Sequence, residues 1–276
     1  MTSIQQESDG YVLSRTSEEY RRLVKQARFW AEATERSLVK AGLGPGMRAL
    51  DVGCGPGEVM RTMARLVGPG GAVTGIDIDA KIGAEAMTVL SAEDPSIYRF
   101  EPFDLHNGAK APGAPYDLIF SRLVIFHMPD QPAMLRRLWD WVKPGGALLI
   151  MDYDLMPTRS EPPVPAMQQA TTLIRQAFRA GGRDIEIGFR MPAHFVSAGL
   201  GAPDGCEVAS FILDATSAAM MLKMLLVSLR PIIDRFALAD EETLAKIDAE
   251  LSALQPGQAF SRWPDMTATW KRKPLE

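Results

Sequence analysis

Residues 49–57, Ala-Leu-Asp-Val-Gly-Cys-Gly-Pro-Gly, constrain this chain more than any other segment. A short apolar run leads into glycines at alternate positions, and residues 58–67 then follow a helical pattern. Glycine tolerates positive φ and lets a ligand approach the backbone without meeting a side chain. Such a strand–loop–helix suits a nucleoside-like cofactor; the plainer alternative is a Gly-Pro turn that closes a strand. A dinucleotide loop places its third glycine three residues after the second, where pyrophosphate meets the helix N-terminus. Here that place is Glu58, whose carboxylate repels a diphosphate and tolerates a cation.

The flanking chain repeats the alternation. Apolar runs at 73–76, 98–100, 116–120 and 147–151 predict further strands, and 81–90 and 132–142 predict helices between them. Strands of about five residues alternating with helices indicate an α/β fold with a parallel sheet covered on both faces. Ligands of such sheets bind at the carboxyl ends of the strands, where the strand order reverses. Residues 17–42 read as one helix, with Thr16 and Glu19 placed for a capping box. After Leu155 the pattern loosens: helices are expected at 164–180, 218–236 and 241–254, a turn and short helix at 188–200, and strands at 207–213 and 266–271.

The second strand ends in Gly75-Ile76-Asp77-Ile78-Asp79. An ionised carboxylate at this point accepts from both hydroxyls of a ribose. The alternative is that Asp77 caps the next helix, a task Asp79 performs equally well. Ile78 offers an apolar face to a purine.

Composition removes other classes. The chain of 276 residues carries a net charge of -4 and shows no basic stripe, so a nucleic-acid partner is not expected. Cys54 and Cys206 lie far apart with no CxxC spacing, so neither a metal site nor a disulfide framework is expected. The polar opening residues lack the apolar core of a signal peptide, and the apolar run 217–229 is too short to span a bilayer. A cytoplasmic protein without membrane association is the expectation.

The segments ALDVGCGPG, GIDID, YDLIFSRLVIFHMPD and LRRLWDWVKPGGALLIMD, in this order, resemble the motifs of class I S-adenosylmethionine-dependent methyltransferases. The resemblance covers roughly residues 45–155 and takes the form seen in the ubiquinone and menaquinone biosynthesis branch. The remainder is loosely similar to secondary-metabolite methyltransferases. It implies a doubly wound, mostly parallel seven-stranded sheet with S-adenosyl-L-methionine as cofactor. It divides the chain into an N-terminal helical lid (1–44), a cofactor-binding core (45–155) and substrate-wall helices with the last strands (156–276). By the same resemblance Asp51, Gly53, Cys54, Gly55 and Gly57 surround the methionine portion and Asp77 holds the ribose. Asp104 and Leu105 flank the adenine, and Ser121 and Arg122 lie under the sulfonium end. Phe103 precedes Asp104 where the family often has glycine. Tyr11, Arg22 and Gln26 resemble lid residues that close over the cofactor's carboxylate; a tyrosine packed at the start of a surface helix is the plain alternative.

For the chemistry, His127 just beyond the fourth strand and Tyr20 on the first helix are the candidate catalytic groups, with Tyr153 also near the mouth. The plainer reading of His127, and the favoured one, is a residue that orients the loop before the next helix. Met220, Met221 and Met224, with Leu222, Leu225 and Leu226, form a surface suited either to a hydrophobic substrate or to a helix–helix or subunit contact. The expected activity is methyl transfer to oxygen, nitrogen or carbon of a small apolar metabolite, with a homo-oligomer conceivable through the N-terminal or the Met-rich helix. The rivals are a methyltransferase-like protein that uses the bound cofactor for cyclisation or another non-methylating reaction, an NAD-dependent dehydrogenase, and a non-catalytic scaffold.

Overall fold

The computed structural model describes residues 17–107 and 110–275, with side chains from Arg22 onward. Two helices, α1 (Ser17–Phe29) and α2 (Ala31–Ala41), precede the sheet, followed by β1 (Arg48–Val52), α3 (Glu58–Val67), β2 (Ala72–Asp77), α4 (Ala80–Glu93) and β3 (Tyr98–Pro102). The core continues with β4 (Tyr116–Arg122), α5 (Gln131–Asp140) and β5 (Val142–Asp154). Then come β6 (Arg159–Glu161), α6 (Pro165–Ala180), α7 (Ile187–Ser197), β7 (Gly205–Ala209), β8 (Ile212–Asp214), α8 (Ala215–Arg235), α9 (Glu241–Ser252), β9 (Phe260–Arg262) and β10 (Asp265–Arg272).

The seven-stranded sheet has the order β3-β2-β1-β4-β5-β10-β7. β1 pairs in parallel with β2 and β4, and β10 runs antiparallel between β5 and β7. Its central strands are apolar on both faces: Ala49, Leu50 and Val52 of β1 and Leu118, Ile119 and Phe120 of β4 are buried. That is the pattern expected of strands covered by helices on both sides. The order reverses between β1 and β4, so their carboxyl ends open a crevice beside the 53–57 loop.

The structure departs from the sequence reading in several places. The single helix over 17–42 is two helices that meet at Trp30 (φ -96, ψ 6), whose indole is fully buried and donates Nε1–H to the Tyr153 hydroxyl. The strand over 207–213 is two strands in different sheets. Between them Phe211 leaves the large sheet to pack on the rings of Phe29 and Trp30 at 4.4 and 4.8 Å. β8 then joins β9 and β6 in a small antiparallel sheet whose three-residue strands β6 and β9 are too short to show alternation. The Lys143-Pro144-Gly145-Gly146 turn is a bulge within a strand of 13 residues. Thr16, expected to cap α1, lies outside the described residues.

α8 spans 21 residues, so by length and composition alone it is able to cross a membrane, contrary to the reading of 217–229. It packs against α6 and α9 and buries Ala218, Met221, Leu222, Leu226 and Leu229. Apolar periodicity along one stripe is what an interior helix needs.

Candidate cofactor and substrate cavity

A single cavity runs from the 53–57 loop, along the ends of β1, β2 and β4, to a chamber walled by α1, α6, α8 and Trp263. Its first half is built from backbone and carboxylates. The amides of Gly53 and Cys54 both donate to the Ile76 carbonyl, at 2.7 and 3.0 Å, which ties the loop to the end of β2. Gly53 has φ +70, and a Cβ there would lie 2.2 Å from Val124 Cγ2, so no other residue fits without moving β4's continuation. At Gly55 a Cβ would meet nothing within 4 Å; the open side faces the cavity that the residue lines.

Asp77 braces this loop. Its Oδ2 accepts from the Gly55 amide and its Oδ1 from the Asp79 amide, both at 2.9 Å. A carboxylate has about four acceptor positions, of which these two amides take two. Capping of α4 falls to Asp79, whose side chain accepts from the amides of Lys81 and Ile82. Glu58 opens α3, lines the cavity and pairs with Arg61 at 3.0 Å. A carboxylate at a helix N-terminus takes the favourable position an anionic phosphate would need.

Asp51 is 2% exposed, and its Oδ2 has no hydrogen-bond partner among the described residues. Burial pushes its pKa up to about 7, the Arg122 guanidinium draws it down, and the Asp77 charge adds to the rise. Arg122 is half-buried beside it and donates to Thr34 Oγ1 of α2 at 2.8 Å. Leu123, next in the chain, takes φ +59, a left-handed conformation uncommon outside glycine, and lines the cavity. Burial, with Asp51 and Asp77 nearby, pushes the Cys54 thiol up.

Ile78, Asp104 and Leu105 line the same half. Asp104 Oδ1 accepts from the His106 amide at 2.8 Å, and the Leu105 carbonyl accepts from Arg137. Phe103, where glycine was the family pattern, sends its amide to the Asp77 carbonyl at 2.8 Å and its ring onto Trp141.

Two of the expected residues are placed elsewhere. Gly57 does not line the cavity: a Cβ there would sit 2.8 Å from Leu90 Cδ1 and 3.3 Å from Ala86 Cβ, so the glycine lets α4 pack against the loop. Ser121 is fully buried, registered between Val52 and Ile150, and lies outside the lining. Tyr11 lies outside the described residues. Tyr20 falls on α1, where nothing is described of its side chain.

At the other half, Gln26 is buried; its Nε2 donates to the Tyr153 hydroxyl at 2.9 Å, and its Oε1 accepts from Arg22 at 3.2 Å. His127 lines the wall. Burial, reinforced by Arg183 and Arg22, lowers its pKa to about 3, which keeps the imidazole neutral. Its backbone carbonyl accepts from Arg183, a bond that does not depend on the imidazole. Sequence reasoning missed Asp152. It is fully buried, accepts from the Phe126 amide at 3.0 Å and the Tyr153 amide at 3.3 Å, and burial pushes it up to about 7. The available signal was an acid directly after the apolar fifth strand, the pattern already seen at Asp77. Among the described residues no group of three His, Cys, Asp or Glu side chains is placed to hold a metal ion.

A reversed strand order, a cradle open at Gly55 and an acid at the end of β2 define an α/β protein built around a nucleoside-type ligand. The family model described as a methyltransferase domain matches residues 9–186, and the chain belongs to that family, of the class I S-adenosylmethionine-dependent kind. Phosphoethanolamine N-methyltransferase 3 of Arabidopsis thaliana is 35% identical over 131 residues, 48% of this chain and 26% of the relative. The chain therefore spans about a quarter of that protein's length. A methyltransferase structure from Bacillus halodurans aligns with TM-score 0.58 at 15% identity, covering 87% of this chain and 98% of that one. Phosphoethanolamine N-methyltransferase 2 of Haemonchus contortus, in complex with phosphomonomethylethanolamine and S-adenosylhomocysteine, aligns with TM-score 0.52 at 18% identity, covering 88% and 52%. Both likenesses concern the fold.

Proposed function

We propose that the chain transfers a methyl group to oxygen, nitrogen or carbon of a small, largely apolar metabolite. The observation that carries this reading is the continuity of one cavity between the glycine loop and an apolar chamber. S-adenosylmethionine, when bound, supplies a methyl group on a positively charged sulfur.

The residues present fit that ligand. Asp51 Oδ2, buried without a partner, is an acceptor in need of a donor, which an amino group satisfies. Arg122 beside it suits a carboxylate better than a sulfonium, because two cations in a buried site repel. Asp77 takes the ribose hydroxyls while holding the Gly55 amide. Asp104, Leu105 and Ile78 bound the base, whereas Gln26, expected over the cofactor's carboxylate, belongs to the chamber wall with Arg22 and Tyr153. Gly57 and Ser121 act behind this shell, one as a packing position and the other within the sheet.

Neutral His127 is a weak proton acceptor at its lowered pKa, so its part in the reading is to shape the wall and exclude water. Positioning of acceptor and methyl group in a dry chamber supplies the main rate advantage, on the order of 7–11 kcal/mol for well-oriented reactants. Tyr20 stands as a further candidate from α1.

Calorimetry with S-adenosylhomocysteine and with NAD tests the cofactor half: binding of the first and not the second supports the reading, and the reverse overturns it. A mass-spectrometric screen of candidate metabolites with S-adenosylmethionine tests the reaction. Products heavier by one methyl in place of one hydrogen support it. Turnover of a substrate with no mass gain replaces it with a cyclisation or similar reaction.

A further inference from the structure

The chamber beyond Arg122 contains polar atoms that methyl transfer by itself does not require. The Tyr153 oxygen accepts from Gln26 Nε2 at 2.9 Å and from Trp30 Nε1 at 2.7 Å. A phenol oxygen has two acceptor lone pairs and one proton to give, so both lone pairs are committed. Among the described residues none accepts the remaining proton. Burial pushes the phenol up, against the pull of the Gln26, Trp30 and Trp263 N–H groups and the Arg22 charge, so the group stays protonated at neutral pH. Although protein surrounds Tyr153, it keeps part of its surface, and it lines the cavity.

Trp263 repeats the situation from the opposite end of the chain. Its indole is 5% exposed and lines the same wall, and its Nε1, which lies near the Tyr153 oxygen, has no hydrogen-bond partner among the described residues. An indole N–H is a donor only. A buried donor without an acceptor costs roughly 1–3 kcal/mol, which a ligand acceptor recovers.

The charges of this wall point the same way. Arg22 and Arg175 line it, and His127 is neutral. Arg175 is engaged by the carbonyls of Leu155, Met156 and Thr158. The carboxylates among the described cavity residues (Asp51, Glu58, Asp77, Asp79 and Asp104) all belong to the loop half, and Asp152 is fully buried on the amides of Phe126 and Tyr153. The chamber thus offers donors and positive charge within apolar walls.

We propose that Tyr153 and Trp263 form a donor pair that selects substrates carrying a carbonyl or carboxylate oxygen on an apolar body and rejects substrates carrying an ammonium group. The acceptor oxygen they hold is distinct from the atom that receives the methyl group, since a donor placed on a nucleophile withdraws its lone pair. The inference rests on the methyltransferase reading and names the substrate class of that site.

The test uses calorimetry on the full chain saturated with S-adenosylhomocysteine. The probes are matched pairs that differ in one group: 4-phenylbutanoate against 4-phenylbutylamine, and decanoate against decylamine. The acid of each pair is expected to bind at least about tenfold more tightly than the amine, and Tyr153→Phe to reduce that ratio by about fivefold to tenfold, the worth of one hydrogen bond. Trp263→Phe, which keeps an aromatic ring, is expected to reduce it by a similar factor. Affinity for S-adenosylhomocysteine stays unchanged in both variants, which shows that each has folded. Equal affinity for acid and amine, absence of binding by both included, overturns the donor pair, as does a ratio that neither variant moves. Failure of S-adenosylhomocysteine to bind the unaltered chain instead removes the reading beneath it.

Discussion

The two halves of the cavity are made in opposite ways. The loop half is assembled from residues close in sequence: Gly53 and Gly55 follow β1, Asp77 ends β2, and a few backbone amides lock them together. The chamber half joins Gln26 and Trp30 to Tyr153 and Trp263 across more than a hundred positions. In the first, backbone geometry holds the polar groups; in the second, side chains hold one another. The first half therefore suits a ligand of constant shape, and the second is free to vary with substrate while the sheet beneath stays the same.

The largest effect that would break this contrast is expected at Asp77. Asp77→Ala removes the acceptor of both the Gly55 and the Asp79 amides together with the proposed ribose contact. Hydrogen bonds to a charged group are worth about 1.5–3 kcal/mol each, so S-adenosylhomocysteine affinity should fall by about a hundredfold or more by calorimetry. A variant that binds as the parent does would remove Asp77 from the site. In the chamber the counterpart is a loss of stability. Tyr153→Phe leaves the buried Gln26 Nε2 and Trp30 Nε1 without their acceptor. Urea unfolding should show a loss of about 1–3 kcal/mol. Cofactor affinity should hardly change, because the loop half does not depend on this cluster.

The same contrast explains what could be read from the sequence. The glycine loop, Asp77, the alternation of β1 through β5 and most helices were legible because each is a local pattern within a few residues. Gly57 stands with Gly53 and Gly55 in the sequence because a glycine that meets α4 and one that faces open space look alike in a string of letters; only the positions of Leu90 and Ala86 separate them. Trp30 falls inside the segment 17–42, whose spacing predicts one continuous helix. Its partner, Tyr153, is 123 residues away, so nothing local marked the helix break. Trp263 gave no signal at all: it stands beyond β9, a strand too short for periodicity to reveal.

A pH titration sharpens the account of the loop half. Asp51 has its pKa raised to about 7 by burial, against 3.8 for the ordinary group. Between those values the folded protein holds a proton that the unfolded chain has released, so this group's contribution to stability is present at low pH and is lost as pH rises through about 7. Asp152 follows the same sign, also with a value of about 7. Asp152→Asn should flatten the fall in stability between pH 5 and pH 7 by up to about 1.4 kcal/mol per pH unit. For the ligand the direction reverses: an amino group favours ionised Asp51, so S-adenosylhomocysteine affinity should rise by up to about tenfold per unit as pH approaches 7. The binding heat should then depend on the buffer, as expected when a proton is released. Asp51→Asn should remove both dependences, and a pH-independent affinity in the parent would show that Asp51 does not meet the amino group.

The smallest effect separates the two loop glycines. Gly55 and Gly57 have φ of +48 and +77, so alanine at either costs roughly 1 kcal/mol of backbone strain. Beyond that shared cost the two positions differ in what the added methyl meets. At Gly57 it meets Leu90 Cδ1 at 2.8 Å, a contact that the leucine can relieve only by moving within the α3–α4 packing. At Gly55 it enters the open cradle, where only a ligand would meet it. Gly57→Ala should therefore lower the unfolding midpoint slightly more than Gly55→Ala, and Gly55→Ala should weaken S-adenosylhomocysteine the more strongly of the two. An equal loss of affinity in both would mean that the loop moves as one body around its ligand, and that the packing position and the cradle position are not independent.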